Sequence, residues 1–311
     1  MPAPQVLADI GQLPVEILNP IFDKAQEGSL IMGLANTIPL SYGQTNIPVV
    51  TQRPEAGPVG EGERKPQTEY RYDMRVVRPR KFATIVTVSD EFMDADIAGL
   101  YSQIADDLAF AIGRAVDLAV LHGRSALTGD ELAGIDGQFI NATTNRITLG
   151  THTPDEGGLS KDIGDGYELV VDADHDFTAF LADKRFRARA INAFDNFGRP
   201  LLQNTVGPDL SDSMAILMGL PAYYGKAVSG RIGANPDSFV RVLGGDWNQV
   251  RVGIVRDLRL DVSDQAAVTL GGELVSLFEN NLVAIRAEFT FGWAIGFHDA
   301  FVAYEDQISG S

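Results

Sequence analysis

The sequence predicts an α+β fold, and three segments carry that expectation. Ile97, Leu100, Ile104, Leu108, Ile112, Ala115, Leu118 and Leu121 recur at spacings of three and four, the apolar stripe of one long helix. Tyr70, Tyr72 and Met74, and then Phe82, Thr84, Val86 and Val88, recur at every second position, as strand residues do. Val283, Ile285, Ala287, Phe289, Phe291 and Trp293 alternate with Arg286, Glu288 and Thr290, so a late strand has one apolar and one polar face.

Residues 1–49 hold short apolar groups broken by Pro2, Pro4, Pro14, Pro20, Pro39 and Pro48. They read as an extended arm that needs another surface to lie on, with a short helix over 16–26. Residues 50–88 read as an extended loop of two long antiparallel strands. The strands break at Arg78-Pro79-Arg80-Lys81, where Pro79 suits a turn or an edge. The long helix covers 97–122 with Gly123 as its C-cap, and at 1.5 Å per residue it reaches about 39 Å. Residues 124–175 are rich in Gly, Asp and Thr, have little periodicity, and predict loops and short strands. A short strand at 177–182 precedes a helix from Lys184 that ends near Gly198-Arg199-Pro200. Several short strands follow over 205–275.

The chain is 45% hydrophobic and 22% charged, a globular balance. No apolar run reaches the roughly 18 residues of a membrane span. The N-terminus lacks the basic-then-apolar order of a signal peptide, so no membrane partner is expected. With no cysteine there is no disulfide, thiolate nucleophile or Cys-ligated zinc. His122, His152, His175 and His298 include no i, i+4 pair, so a zincin-type site is absent, and neither metal nor cofactor is expected. GxSxG is absent as well. Gly60-Glu61-Gly62 starts like a phosphate loop, but Lys65 holds the third glycine position, strands follow, and Glu61 and Glu63 repel phosphate. It reads as a turn. Asp90, Glu91, Asp94 and Asp96 precede the long helix and complement its dipole, with Ser89 or Asp96 as the N-cap. Asp172, Asp174 and Asp176 around His175 form a polar turn, and offer the acid–base groups of a soluble hydrolase as an alternative.

The net charge is −17, which argues against general nucleic-acid binding. Yet Arg64, Lys65, Arg71, Arg75, Arg78, Arg80 and Lys81 stand against only Glu69 and Asp73 over 64–81, a net of +5 that leaves −22 elsewhere. A two-stranded ribbon is marginal alone. A basic ribbon beside an acidic body either folds back on its own domain or lies across a neighbouring copy, where charge sets the register.

The run VGEGERKPQTEYRYDMRVVRPRKFATIVTVSDEF resembles the extended loop of tailed-bacteriophage major capsid proteins of the Hong Kong 97 type. IADDLAFAIGRAVDLAVLHG is similar to their spine helix. FDNFGRPLL, GLPAYYGKAV, GGDWNQVRVGIVRDLRLDV and LFENNLVAIRAEFTFGWAIGFHDAFVAY follow in the family's order, so the likeness covers the chain from about residue 15. The resemblance implies an N-terminal arm (1–49), an extended loop (50–88), a peripheral domain (89–199), an axial domain (200–275) and a strand returning to the peripheral domain (276–311). It implies a structural subunit of the virion, assembled in the bacterial cytoplasm into pentamers and hexamers around double-stranded DNA that it does not bind sequence-specifically. Portal, scaffold and decoration proteins are the implied partners. The arm starts almost at Met1, so the scaffold is expected either to be a separate protein or not to be needed. The basic residues of the loop, Arg64, Arg71, Arg75, Arg78, Arg80 and Lys81, become assembly contacts. Some members join a loop lysine to an asparagine of an adjacent subunit with the help of a glutamate. The matching residues are Lys65, Asn281 and Glu288. An encapsulin shell that holds cargo enzymes is the alternative on the same fold.

Overall fold

The computed structural model describes residues 29–91, 100–193 and 214–307. The helix expected over 16–26, residues 97–99, Asp94, Asp96 and the breaker at Gly198 lie outside these residues. In chain order the strands are β1 (Asn36–Thr37), β2 (Thr45–Gln52), β3 (Arg71–Val77), β4 (Arg80–Ser89), β5 (Arg146–Leu149), β6 (Ala179–Ala182), β7 (Met214–Leu217), β8 (Leu220–Tyr224), β9 (Val240–Gly245), β10 (Val250–Ser263), β11 (Ala267–Leu270), β12 (Glu273–Ser276), β13 (Leu282–Ile295) and β14 (Phe301–Asp306). The helices are α1 (Leu30–Leu34), α2 (Leu100–His122), α3 (Gly158–Asp172) and α4 (Lys184–Ile191).

Two sheets share α2. In its first half the helix keeps a stripe, with Leu108 and Ile112 buried and Asp107 and Phe110 exposed. From Val116 to Gly123 every residue is buried, as a helix enclosed on all sides must be. Val250, Ile285 and Phe289 of one sheet and Val240, Leu243 and Phe301 of the other join its core. Gly123 stops the helix at φ 66°, its N–H on the Ala119 carbonyl at 2.9 Å, and a Cβ there would lie 2.5 Å from Ile135. His122 adds a fixed contact. Its Nε2 donates to the Val228 carbonyl at 2.9 Å, so Nδ1 accepts from Asn141, and burial pushes its pKa down to about 4.

The first sheet runs β1-β10-β13-β4, and the second runs β5-β14-β9-β6-β8-β7. A second core lies between the six-stranded sheet and its helices, formed by Leu159, Ile163 and Val170 of α3, Phe186 of α4, and Phe180, Val242 and Tyr304 of the strands. β11 and β12 pair as a small ribbon. β13 alternates as its sequence predicts as far as Glu288, and then Phe289 to Ile295 are buried on both faces. Gly292 shows why: a Cβ there would meet Leu40 at 2.7 Å and Val77 at 2.9 Å, because the chain around those residues covers the second face.

Three expectations are corrected. First, β3 does not pair with β4. It pairs with β2 from Thr45–Val77 to Gln52–Arg71, while β4 pairs with β13 over ten positions from Arg80–Phe291 to Ser89–Leu282. Pro79 has a fixed φ and no N–H, so the ladder breaks there and the two halves take different partners. The extended ribbon therefore runs from Thr45 to Val77, with 53–70 between its strands, and not over 50–88.

Second, 124–175 holds a 15-residue helix, α3. Gly158, Gly164 and Gly166 hide it by lowering helix propensity, but Leu159, Ile163 and Val170 pack it onto the sheet. Gly166 is required by the packing: an added Cβ would lie 2.5 Å from the Tyr304 hydroxyl, which donates to the Ile163 carbonyl at 2.9 Å. Gly166→Ala should therefore destabilise the subunit by about 1–3 kcal/mol in chemical denaturation, although alanine is the better helix former. A stabilised variant would show that the ring yields.

Third, the chain segments do not divide as the sheets do. β5, α3 and β6, assigned before residue 199, belong with β9 and β14, while β10, assigned to 200–275, lies beside β13. Alternation identifies a strand but not its partner, so breaks at 199 and 275 fall within interleaved lobes.

Candidate assembly site

The β2–β3 ribbon has two different faces because strand side chains alternate. Tyr72, Met74 and Val76 share one face, where Pro48 lies opposite Met74 and Val50 opposite Tyr72. Tyr72 is 58% exposed and Met74 49%, and exposed Tyr70 extends the stripe. The other face carries Arg71, Asp73 and Arg75. The ribbon is rooted where Val77 is buried against Gly292.

The basic residues fall into different roles. Arg71 pairs with Glu69, and Arg75 with Asp73 at 3.7 Å, both within the ribbon. Arg64 and Lys65 are exposed in the segment 53–70. Gly60 and Glu63 close a tight turn there, with the Gly60 N–H on the Glu63 carboxylate at 3.1 Å, so that amide is already taken. Arg80 donates to the Ala133 carbonyl. Burial holds Arg80 below its usual range, with repulsion from Arg78 adding to the effect and Asp136 opposing it. Lys81 pairs with Glu288 at 3.2 Å, next to Arg286 at 3.6 Å from the same carboxylate. Arg286 in turn holds Asp261, which also holds Arg259. The result is a charge ladder across β4, β13 and β10.

Lys65, Asn281 and Glu288 are not gathered within one chain. Asn281 sits at φ 50° just before β13, its carbonyl accepting from the Asp90 N–H at 2.9 Å. Glu288 lies seven residues along, about 23 Å away at strand rise. Among the described residues no hydrogen bond or ion pair joins Lys65 to either. A lysine, an asparagine and a glutamate acting together must therefore come from more than one subunit.

The sequence did not single out Asp117, which anchors the start of the described chain. Buried in α2, it accepts from Ser29 Oγ at 2.6 Å, from the Leu30 N–H at 3.0 Å and from the Ile31 N–H at 3.2 Å. Burial pushes its carboxyl up to about 6, against those three bonds. The lone acid in Val116-Asp117-Leu118 was the available signal.

The hydrolase alternative finds no site. Asp172, Asp174 and Asp176 are exposed, and His175 pairs with Asp299 at 3.3 Å and packs beside Phe297. Trp247 and Trp293 are structural, their indole N–H groups donating to the Ala179 and Gln138 carbonyls.

The described residues form a two-sheet body from which an amphipathic ribbon extends. The model of the phage capsid family matches residues 12–306, and the chain belongs to that family. The probable major capsid protein gp17 of Mycobacterium phage D29 is 28% identical, over 96% of this chain and 92% of its own length. A solved structure from Gordonia phage Cozz has a TM-score of 0.73 at 27% identity, covering 90% of this chain and 87% of that one. One from Mycobacterium phage Ogopogo has 0.69 at 26%, covering 89% and 92%. The fold is of the Hong Kong 97 type, the chain is a virion component and not an enzyme, and neither the encapsulin nor the hydrolase alternative is favoured.

Proposed function

We propose that this chain is the major capsid protein of a tailed phage, closing an icosahedral head as pentamers and hexamers around double-stranded DNA. The β2–β3 ribbon carries the reading. Covering Tyr70, Tyr72, Met74 and Val76 on an adjacent copy is worth about 1.5–3 kcal/mol for each large side chain. An exposed ion pair contributes about 0–1 kcal/mol. The apolar stripe therefore supplies the adhesion, and the basic residues without a carboxylate partner among the described residues, Arg64, Arg78 and Arg80, select partner and register on an acidic body. In this reading the six-stranded lobe is axial, and the four-stranded sheet with α2 is peripheral. Assembly takes place in the host cytoplasm, with portal, scaffold or decoration proteins as partners. The net charge of −17 leaves the genome free to move, so purified subunits should show no tight, salt-sensitive DNA binding.

Negative-stain electron microscopy of the expressed protein tests the reading: closed shells or capsomer rings are expected. A small discrete particle, unchanged by added scaffold, would overturn it. The same sample boiled in SDS tests the self-crosslink. If Glu288 takes the proton of Lys65 and the neutral amine attacks the Asn281 carboxamide carbon, breaking its C–N bond and releasing ammonia, a ladder above the 33.5 kDa monomer appears and is lost in Lys65→Ala. Shells without a ladder keep the capsid and remove that chemistry.

A further inference from the structure

Arg78 has no ion pair or hydrogen bond among the described residues. It lines a cleft of about 310 Å³ at the root of the ribbon, together with Arg75, Arg80, Met74, Gln138 and Trp293. Arg75 Nε is shielded from solvent there and meets no acceptor. The Gln138 Oε1 accepts from the Ile295 N–H at 3.1 Å, which leaves the amide nitrogen free to donate. Among the described residues Asp136 is the only carboxylate lining the cleft, against three guanidiniums. Like charges held together disfavour their charged forms, and at Arg80 repulsion from Arg78 adds to burial, the larger cause that lowers it. An incoming anion would satisfy the donors and remove the repulsion.

We propose that this cleft receives a carboxylate side chain from a second copy of the chain, gripped by Arg78 and Arg80. The inference rests on the shell reading above and names one of its ionic contacts. Three observations select the occupant. Met74 and Val76 line the cleft and also belong to the apolar stripe, so the two surfaces are continuous. The chain outside 64–81 carries −22, so carboxylates are abundant on any neighbour. Guanidinium groups bind carboxylates in a bidentate fashion, and partial burial strengthens the pair. Arg71 and Arg75, on the strand of the ribbon, already have carboxylates beside them, whereas Arg78 at its root is ion-paired with none among the described residues.

Shells assembled from an equal mixture of isotopically light and heavy chains carrying Arg78→Lys test this. A carbodiimide activates a carboxylate, and an amine in contact displaces the urea to form an amide, with net loss of water. Mass spectrometry should find mixed-label pairs joining position 78 to an acidic peptide. Same-label pairs alone, reaching Asp136 or Asp73, would overturn the proposal, as would no coupling. Arg78→Glu is the second arm. The side chain is exposed, so thermal unfolding of the subunit should be unchanged while shell yield at low ionic strength falls at least about tenfold. Equal yields of Arg78→Glu and wild-type shells would sink this inference and leave the shell reading standing, whereas a wild type without shells would remove both. If added inorganic phosphate stabilises the subunit and position 78 does not couple, the occupant is a free anion and the proposal fails.

Discussion

Arg241→Ala should destabilise the subunit by about 3–5 kcal/mol, because it strands carboxylates that the guanidinium now holds. The Arg241 side chain on β9 is only 8% exposed. Its Nε donates to Asp306 at 2.5 Å and its Nη1 to Asp237 at 2.9 Å, with Asp183 at 3.8 Å. Asp306 belongs to β14, and Asp183 caps α4 through the Arg185 N–H at 3.1 Å, so one side chain ties three elements of the six-stranded lobe together. Burial alone would push the Asp237 carboxyl up, but hydrogen bonds from Arg241, the Phe239 N–H and Arg185 bring it down to about 2. A carboxyl lowered in the fold stabilises above its unfolded pKa of about 3.9, and that contribution is lost as pH falls through about 2. The deficit of the variant should accordingly be full at neutral pH and shrink in acid. Urea unfolding at both values reads it, with Arg241→Met as a control that keeps volume without charge. A loss below about 1 kcal/mol at neutral pH would mean that water already screens the cluster.

Asp117→Ala should cost about 3 kcal/mol and free the start of the described chain. Ser29 Oγ and the N–H groups of Leu30 and Ile31 would lose their acceptor in a buried place. Hydrogen exchange at Leu30 and Ile31 should accelerate well beyond that in α2. The pH dependence has the opposite sign to that of Asp237. The Asp117 pKa is raised to about 6 in the fold, so the stability linked to its protonation is complete below about 3.9 and is lost as pH rises through 6, while the three hydrogen bonds remain. Wild-type stability should therefore carry a term that grows on acidification between those values, and Asp117→Asn should abolish it. Unchanged exchange at Leu30 and Ile31 in Asp117→Ala would show that the apolar contact of Ile31 alone holds the segment.

Elements were more legible in the sequence than their partners. The helix from Leu100 to His122, the stop at Gly123 and the alternation through Glu288 each follow from a local period, and each is found. Pairing is not local. Tyr72 and Met74 showed a strand with a face, but nothing in their spacing distinguishes Val50 from Val86 as the neighbour. Glycine concealed α3, because Gly166 answers to Tyr304, 138 positions along the chain. Within the candidate site the charges were visible and their compensation was not. Arg71 and Arg78 look alike in sequence, yet among the described residues Arg71 is ion-paired and Arg78 is not. The cleft that makes Arg78 distinctive takes Gln138 and Trp293 from distant segments.

The position of β14 bears on the timing of synthesis. It lies between β5 and β9 and, among the described residues, is the only strand paired with β5. Until residues 301–306 have left the ribosome, β5 stays unpaired and one side of β9 remains an open edge. Open edges invite pairing with other chains, and such long-range closures are slow. A nascent chain therefore cannot present a finished body to its neighbours, whatever its ribbon is already able to do. Emergence of residues 301–306 is the step that pairs β5 and closes that edge of β9.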